Sequence, residues 1–313
     1  MAFTMHSHSG QFCPGHAKDS LEDIIRHAIK MGFKSMGLTE HMPRTAVEDL
    51  YPEELTPSPS ESLATLHPRH TSYLAEATRL QTLFSPQISL LVGFETEWLR
   101  PDEYIPLITT LAADPRIDYL VGSVHHVDSI PIDFDAPTYA RAVAAHSGSE
   151  EALFTAYFDA QHDMLQALQP RVVGHFDLIR LFSSYEAQRA TLPPLSTHWP
   201  GVWERILRNL RAAHCYGGWL ELNTSALRKG LAEAYPMREI AEAWVGMGGK
   251  FTVSDDSHGV GQVGTNYGRG LGYLEELGVR EVWTLERKEG GGVVERGVAI
   301  GEFRGSLKEE GSA

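Results

Sequence analysis

Cysteine is nearly absent from this chain. Of 313 residues only Cys13 and Cys215 carry thiols, which excludes a disulfide framework and leaves both as reduced side chains. Positive charge is scarce too: Lys and Arg number 27 against 41 Asp and Glu, for a net charge of -14 and a pI near 5.5. No nucleic-acid or anionic-membrane partner is expected, because either needs a positive footprint. A small anion remains admissible if metal ions supply positive charge locally. No apolar run approaches the roughly 18 residues of a membrane helix. The N-terminus, with imidazoles at His6 and His8, lacks the basic and apolar regions of a signal peptide. A cytoplasmic protein is the expectation.

What is present reads as an α/β protein. Hydrophobic content of 42% with 22% charged residues is ordinary for a globular chain. Apolar residues Leu21, Ile24, Ile25, Ala28 and Ile29 repeat at helical spacing, with Ser20 to cap and Gly32 to end the helix. "KSMGLTEH" follows as a strand, and the alternation continues. "ISLLVGFETEW", "DYLVGSVHH", "RVVGHFD", "GWLELNTS" and "KFTVSDDSH" read as strands, while "YIPLITTLAAD", "SEEALFTAYFDAQHDMLQAL", "WERILRNLRAAH" and "PMREIAEAWVGM" read as helices. With the opening "AFTMH" this makes seven strands, and strands alternating with helices indicate parallel βαβ units. A closed or nearly closed barrel in one domain over residues 1–313 is expected. The Pro-, Ser- and Glu-rich stretch at about 43–70 reads as a surface insertion covering one end, and the tail beyond Leu285 as a loose hairpin with disorder from about 304.

Every one of those strands ends in a side chain able to bind metal. His6 and His8 share one face of the first strand, since alternate residues of an extended chain point the same way. Glu40 and His41 end the second, Glu95 and Glu97 the third, His125 and His126 the fourth, His175 and Asp177 the fifth, Glu221 and Asn223 the sixth, and Asp255, Asp256 and His258 the seventh. Strand carboxyl ends converge on one face of such a barrel, where its active sites lie. His27, His67, His70, His146, His162, His198 and His214 fall in helices or the insertion and are read as ordinary. The converging donors exceed the three or so that one zinc takes. Two or three ions with a bridging carboxylate are implied, an arrangement suited to phosphoester hydrolysis.

The motifs "MHSHSGQFCPGH", "GLTEHMP", "VGFETEW", "GSVHHVD", "VGHFDLIR", "LELNTSALRKGLAEAYP" and "VSDDSH" resemble, in order, those of the PHP (polymerase and histidinol phosphatase) superfamily, in its histidinol-phosphatase branch. The resemblance implies a distorted (β/α)7 barrel with three divalent ions, zinc, iron or manganese. His6, His8, Glu95 and Asp256 would hold the first; Glu95, His125 and His175 the second; His16, His41 and His258 the third. Glu95 is preferred to Glu97 by the Gly-x-Glu pattern and Asp256 to Asp255 by Asp-x-His, while His126 still competes with His125. Cys13 is read as packing and not as a ligand.

The implied substrate is a small phosphate monoester, L-histidinol phosphate, hydrolysed in histidine biosynthesis. Arg228 and Arg180 resemble phosphate contacts, and Asn223 is a further candidate at the substrate. Asp256, or water on the third ion near His258, is expected to protonate the leaving alkoxide, with Arg228 neutralising phosphoryl charge. Asp133 and Asp135 in "DSIPIDFDAPTYA" suit a cationic substrate. The alternatives are a related phosphoesterase acting on another small ester or nucleotide, an amidohydrolase-type barrel, and a non-catalytic metal-binding remnant. The amidohydrolase reading wants a bridging Lys where Glu95 and "GSVHH" stand.

Overall fold

A computed structural model describes residues 1–56, 58–288 and 291–308. Its centre is a sheet of seven parallel strands: β1 (Ala2–Thr4), β2 (Phe33–Leu38), β3 (Ser89–Glu95), β4 (Tyr119–Gly122), β7 (Val172–Val173), β8 (Trp219–Asn223) and β9 (Lys250–Ser254), adjacent in that order. Between β4 and β7 lies a small antiparallel hairpin of β5 (His126–Val127) and β6 (Ile130–Pro131). Past β1 the chain runs on beside the segment that follows β9. The Met5 N–H donates to the Val253 carbonyl at 3.2 Å and the His8 N–H to the Ser257 carbonyl at 2.8 Å. These bonds bring the first and last strands together, so the sheet is a nearly closed barrel, the (β/α)7 arrangement expected.

The helices form for the reasons the sequence displays. Leu21–Lys30 buries its apolar stripe, and the Ser20 hydroxyl accepts the Asp23 N–H at 3.1 Å. Glu150–Leu168 starts at Ser149 in the same way. The expected insertion at about 43–70 needs correction. Two 3₁₀ turns occupy Val47–Asp49 and Pro52–Leu55, but a 26-residue helix spans Pro59–Phe84 and buries Tyr73, Leu74, Ala77, Leu80 and Phe84 against the barrel. Ser58 and Pro59 supply its cap and first position, a start signal lying inside the Pro-, Ser- and Glu-rich stretch whose composition reads as an insertion. Ala136–Ala145 is likewise helical, begun by the Asp135 carboxylate accepting the Thr138 N–H at 2.7 Å.

The tail is also better ordered than expected. β10 (Glu281–Arg287) and β11 (Val293–Ala299) form an antiparallel hairpin that buries Val282, Leu285 and Val298 against the barrel. Ile300–Ser306 is a helix whose Phe303 ring packs on Phe3 at 4.9 Å. Disorder from about 304 is therefore not found through Ser306, and residues 309–313 lie outside those described.

Inside the barrel Tyr119 crosses from β4 to donate its hydroxyl to the Met5 carbonyl at 2.6 Å. That path runs over Gly37, where any Cβ would collide with the phenolic oxygen. Gly37→Ala should therefore destabilise the fold by about 2 kcal/mol through overpacking. Thermal unfolding would show a lowered midpoint, partly restored by adding Tyr119→Phe; an unchanged midpoint would contradict this packing.

Candidate metal centre

His6 and His8 leave β1 on one side of an extended segment, and their Nε2 atoms converge to 3.1 Å. Ser7 between them turns the other way, donating its hydroxyl to the Gly37 carbonyl at 2.7 Å. Asp256 approaches the pair from the end of β9, with Oδ1 3.5 Å from His8 Nε2 and 3.8 Å from His6 Nε2. Its neighbour Asp255 points elsewhere, accepting the N–H groups of Ser257 at 3.0 Å and Gly264 at 2.6 Å to shape the turn. Asp256 sits at φ 48°, a left-handed conformation uncommon outside glycine, which Asn and Asp adopt more readily than other residues.

Glu95 stands at the centre. Its Oε1 lies 2.9 Å from His175 Nε2 and 3.2 Å from His125 Nε2. Its Oε2 lies 3.3 Å from both His6 and His8 Nε2 and 3.2 Å from His41 Nδ1. Each oxygen thus faces a different set of imidazoles, as a bridging carboxylate would. His125 is brought to this point, 3.3 Å from His175 Nε2. His126 instead turns towards Glu97 and Tyr51, so geometry separates the two competitors. On the outer side, His41 stacks on His8 with ring centres 4.4 Å apart, and His16 lies 4.6 Å from His258 and 5.3 Å from His41, ring centre to ring centre.

Around these side chains lies an outer layer of hydrogen-bond acceptors. His6 Nδ1 donates to Glu221 at 2.8 Å, His125 Nδ1 to Glu97 at 3.1 Å, His16 Nδ1 to Glu53 at 2.9 Å and His258 Nδ1 to the Asp256 carbonyl at 2.9 Å. Tying Nδ1–H outward leaves the Nε2 lone pair facing inward, the tautomer that metal-binding histidines adopt. Facing lone pairs repel unless a cation lies between them. Two nitrogens about 2.0–2.1 Å from one ion at a tetrahedral angle sit about 3.3–3.4 Å apart, near the His125–His175 separation and slightly above the His6–His8 one. Among the described residues His8–His41–His258, His6–His8–Asp256, Glu95–His125–His175 and His8–Cys13–Glu40 each gather their donor atoms within 4.8 Å. The residues therefore fit divalent metal ions, with imidazole and carboxylate donors suited to zinc, iron or manganese.

With no ion between them, protons on imidazoles must meet the charge of the buried acids. Burial alone would lower the His6 pKa, but Glu95, Glu221 and Asp256 push it up to about 10. Burial would raise Glu95 and Asp256, yet the surrounding histidines hold both well below the usual carboxylate range. His41, buried beside the His8 charge, falls to about 3, and the same two causes depress His258. An ionised Asp256 and a neutral His258 are acceptors, which suits ligands; to act as the proton donor expected at this end of the site, Asp256 must first take up a proton. Burial and the Glu40 charge push the Cys13 thiol up to about 11, so it donates to Glu40 at 3.2 Å as a packed thiol.

Three sequence candidates are placed differently from the expectation. Arg180 is 1% exposed, ion-paired to Asp177 at 2.9 Å and Glu186 at 3.1 Å, and stacked against Tyr235. It braces the wall behind His175 and does not line the cavity, so it is not a phosphate contact here. Asn223 is wholly buried and donates to Glu221 at 3.0 Å, which makes it an orienting group and not a substrate contact. Asp135 is used as a helix cap. Arg228 does line the cavity, and its guanidinium donates to the Asp255 and Asp256 carbonyls at 3.0 Å each. It thereby fixes the Asp256 turn while facing the cavity.

Sequence reasoning gave no role to Tyr51, Glu53 and Lys229, which line the same cavity. Lys229 adjoins Arg228 and could have been read from its motif. Tyr51 and Glu53 arrive on the 3₁₀ segment, whose irregular spacing carries no signal for where it folds. Glu97 and Glu221 were visible as strand-end acids, and their outer position follows from facing Nδ1 atoms, which only the fold reveals.

A PHP domain family model matches residues 4–225. The chain is 44% identical over 301 residues to a Schizosaccharomyces pombe protein named "Probable histidinol-phosphatase", covering 96% of this chain and 95% of that one. It is 32% identical over 295 residues to the histidinol-phosphatase of Saccharomyces cerevisiae, covering 87% and 88% of the two chains. Its fold is similar to the crystal structure of histidinol phosphate phosphatase from Lactococcus lactis subsp. lactis Il1403, with a TM-score of 0.65 at 18% identity, covering 90% of this chain and 96% of that one. That protein is complexed with Zn, L-histidinol and phosphate.

Proposed function

The chain belongs to the PHP domain family, in its histidinol-phosphatase branch, and from that premise we propose that its metal centre hydrolyses L-histidinol phosphate to L-histidinol and phosphate. The observation that carries the reading is Glu95, whose two oxygens face separate imidazole clusters at the bottom of a cavity also lined by Arg228 and Lys229. In this reading three divalent ions are held: by His6, His8, Glu95 and Asp256; by Glu95, His125 and His175; and by His16, His41 and His258. His8 also lies within reach of the third set. Zinc is the first candidate, because the Lactococcus lactis protein holds it. Bound ions supply Lewis acidity, neutralising phosphoryl charge and acidifying water.

The chain's own groups then perform four tasks. Glu221, Glu97 and Glu53 fix the imidazole orientations through Nδ1. Arg228 and Lys229 bring positive charge to an otherwise acidic molecule at the place where a phosphate must sit, and the guanidinium suits bidentate contact with phosphoryl oxygens. Asp256, whose carboxyl the surrounding histidines hold well below the usual range, would take a proton from the attacking water and return it to the leaving alkoxide. Tyr51, hydrogen-bonded to Glu97 at 2.9 Å, helps keep bulk water from one side of the cavity.

The test is phosphate release from L-histidinol phosphate beside a panel of other monoesters, with bound metal counted on the same sample. Preference for histidinol phosphate with two or three ions per chain is expected. Metal with equal rates on every ester would leave a phosphoesterase of another specificity, and full activity without metal would reject the mechanism.

A further inference from the structure

The cavity above the metal centre encloses about 460 Å³, room for a small ligand larger than phosphate alone. Two of its lining residues, Asp133 and Phe134, belong to neither the metal clusters nor the phosphate-binding cations. They are rigidly presented. Just before them Ile132 is fully buried and donates its N–H to the His125 carbonyl at 2.9 Å. Just after them Asp135 caps the helix Ala136–Ala145. A two-residue step is thus pinned at one end to a residue of the metal centre and at the other to a helix.

What this step offers is chemically specific. Asp133 Oδ1 is buried without a hydrogen-bond partner, and among the described residues no cation pairs with the carboxylate. A half-buried carboxylate left so is costly until a cationic donor arrives. Phe134, beside it, is 42% exposed, an apolar ring open to the cavity. Arg228 and Lys229 line the same space with the opposite charge. The cavity therefore carries both signs, as a ligand with a phosphate and an amine requires.

We propose that Asp133 receives the ammonium group of an amine-bearing phosphate ester and that Phe134 flanks the organic portion, so that this pair selects the substrate. The inference deepens the histidinol phosphate reading and rests on it for the identity of the ester. Glu53 is the rival acid in the cavity, with Oε2 also unpartnered, but its Oε1 already accepts from His16. Its loss should therefore disturb every substrate alike.

The experiment compares the wild-type protein with Asp133→Asn, Asp133→Glu and Glu53→Gln on four esters: L-histidinol phosphate, its analogue lacking the amine, phosphoethanolamine and 4-nitrophenyl phosphate. Asp133→Asn should lower kcat/KM about 30-fold or more on the two amine-bearing esters, mainly through KM, and leave the other two within about twofold. Asp133→Glu should recover part of the loss, and Glu53→Gln should depress all four. Should phosphoethanolamine prove the better wild-type substrate, the histidinol reading falls while a loss confined to amine-bearing esters still supports Asp133. A loss shared by all four esters, no loss at all, or a wild-type protein inactive on every ester would overturn the inference.

Discussion

Glu95→Gln should lower kcat/KM for L-histidinol phosphate by about 10³-fold or more, the largest effect of any single substitution considered, corresponding to about 4 kcal/mol of barrier. The reason is that one carboxylate serves two clusters. Oε1 faces His125 and His175 while Oε2 faces His6, His8 and His41. An amide keeps the shape but removes the charge and turns one oxygen into an N–H₂ donor, which would aim hydrogens at inward lone pairs. Both clusters should lose metal, so metal per chain, measured by elemental analysis, should fall together with activity. Glu97→Gln offers the contrast: its carboxylate reaches the centre from behind the imidazoles, through His125 Nδ1 at 3.1 Å and His41 Nδ1 at 3.5 Å, while also accepting from the Tyr51 hydroxyl, and loss of such outer support costs about 10–100-fold. A Glu95→Gln protein that keeps its metal and turns over at the wild-type rate would remove the bridging role.

The contrast between these two glutamates also marks how far the sequence was legible. Seven strands, their order and the convergence of His6, His8, His41, Glu95, His125, His175, Asp256 and His258 could be read from periodicity and motif, because parallel βα repeats place all strand ends on one face. Rank among neighbouring acids was legible only through motif, Gly-x-Glu favouring Glu95 over Glu97 and Asp-x-His favouring Asp256 over Asp255, while periodicity alone left each pair open. Glu95 and Glu97 share a strand face, and Asp255 and Asp256 are adjacent. Only the packed site shows that Glu97 serves an imidazole from behind and that Asp255 ties down the Gly264 N–H. Arg180 misled for the same reason: an Arg beside a metal-ligand motif looks like an anion contact until Asp177 and Glu186 are seen to neutralise it. The segment before Pro59 was least legible, since Tyr51 and Glu53 reach the cavity on turns with no repeating pattern.

Removing the metal should abolish activity and also change how stability depends on pH. The centre buries Glu95, Glu97, Glu221 and Asp256 together, and with no ions their charge must be met by protons on imidazoles. His6 carries one such proton, its pKa pushed up to about 10 by Glu95, Glu221 and Asp256 against the opposing effect of burial. Unfolded, the same group titrates near 6.5. A group whose folded pKa is raised contributes stability that is complete below the unfolded value and lost as pH climbs through the folded one, because the native state then holds the extra proton. Chelated protein should therefore lose stability steadily between about pH 6.5 and 10. Protein reloaded with zinc or manganese should have its phosphatase activity restored and that slope flattened, since the ions replace the protons as the positive partners and are bound more tightly as the imidazoles deprotonate. Denaturant unfolding of the two forms at several pH values makes the comparison. Parallel stability curves for both would mean that the buried acids are balanced by something other than metal, and the reading of the His6–Glu95–Asp256 cluster as an ion site would fail with them.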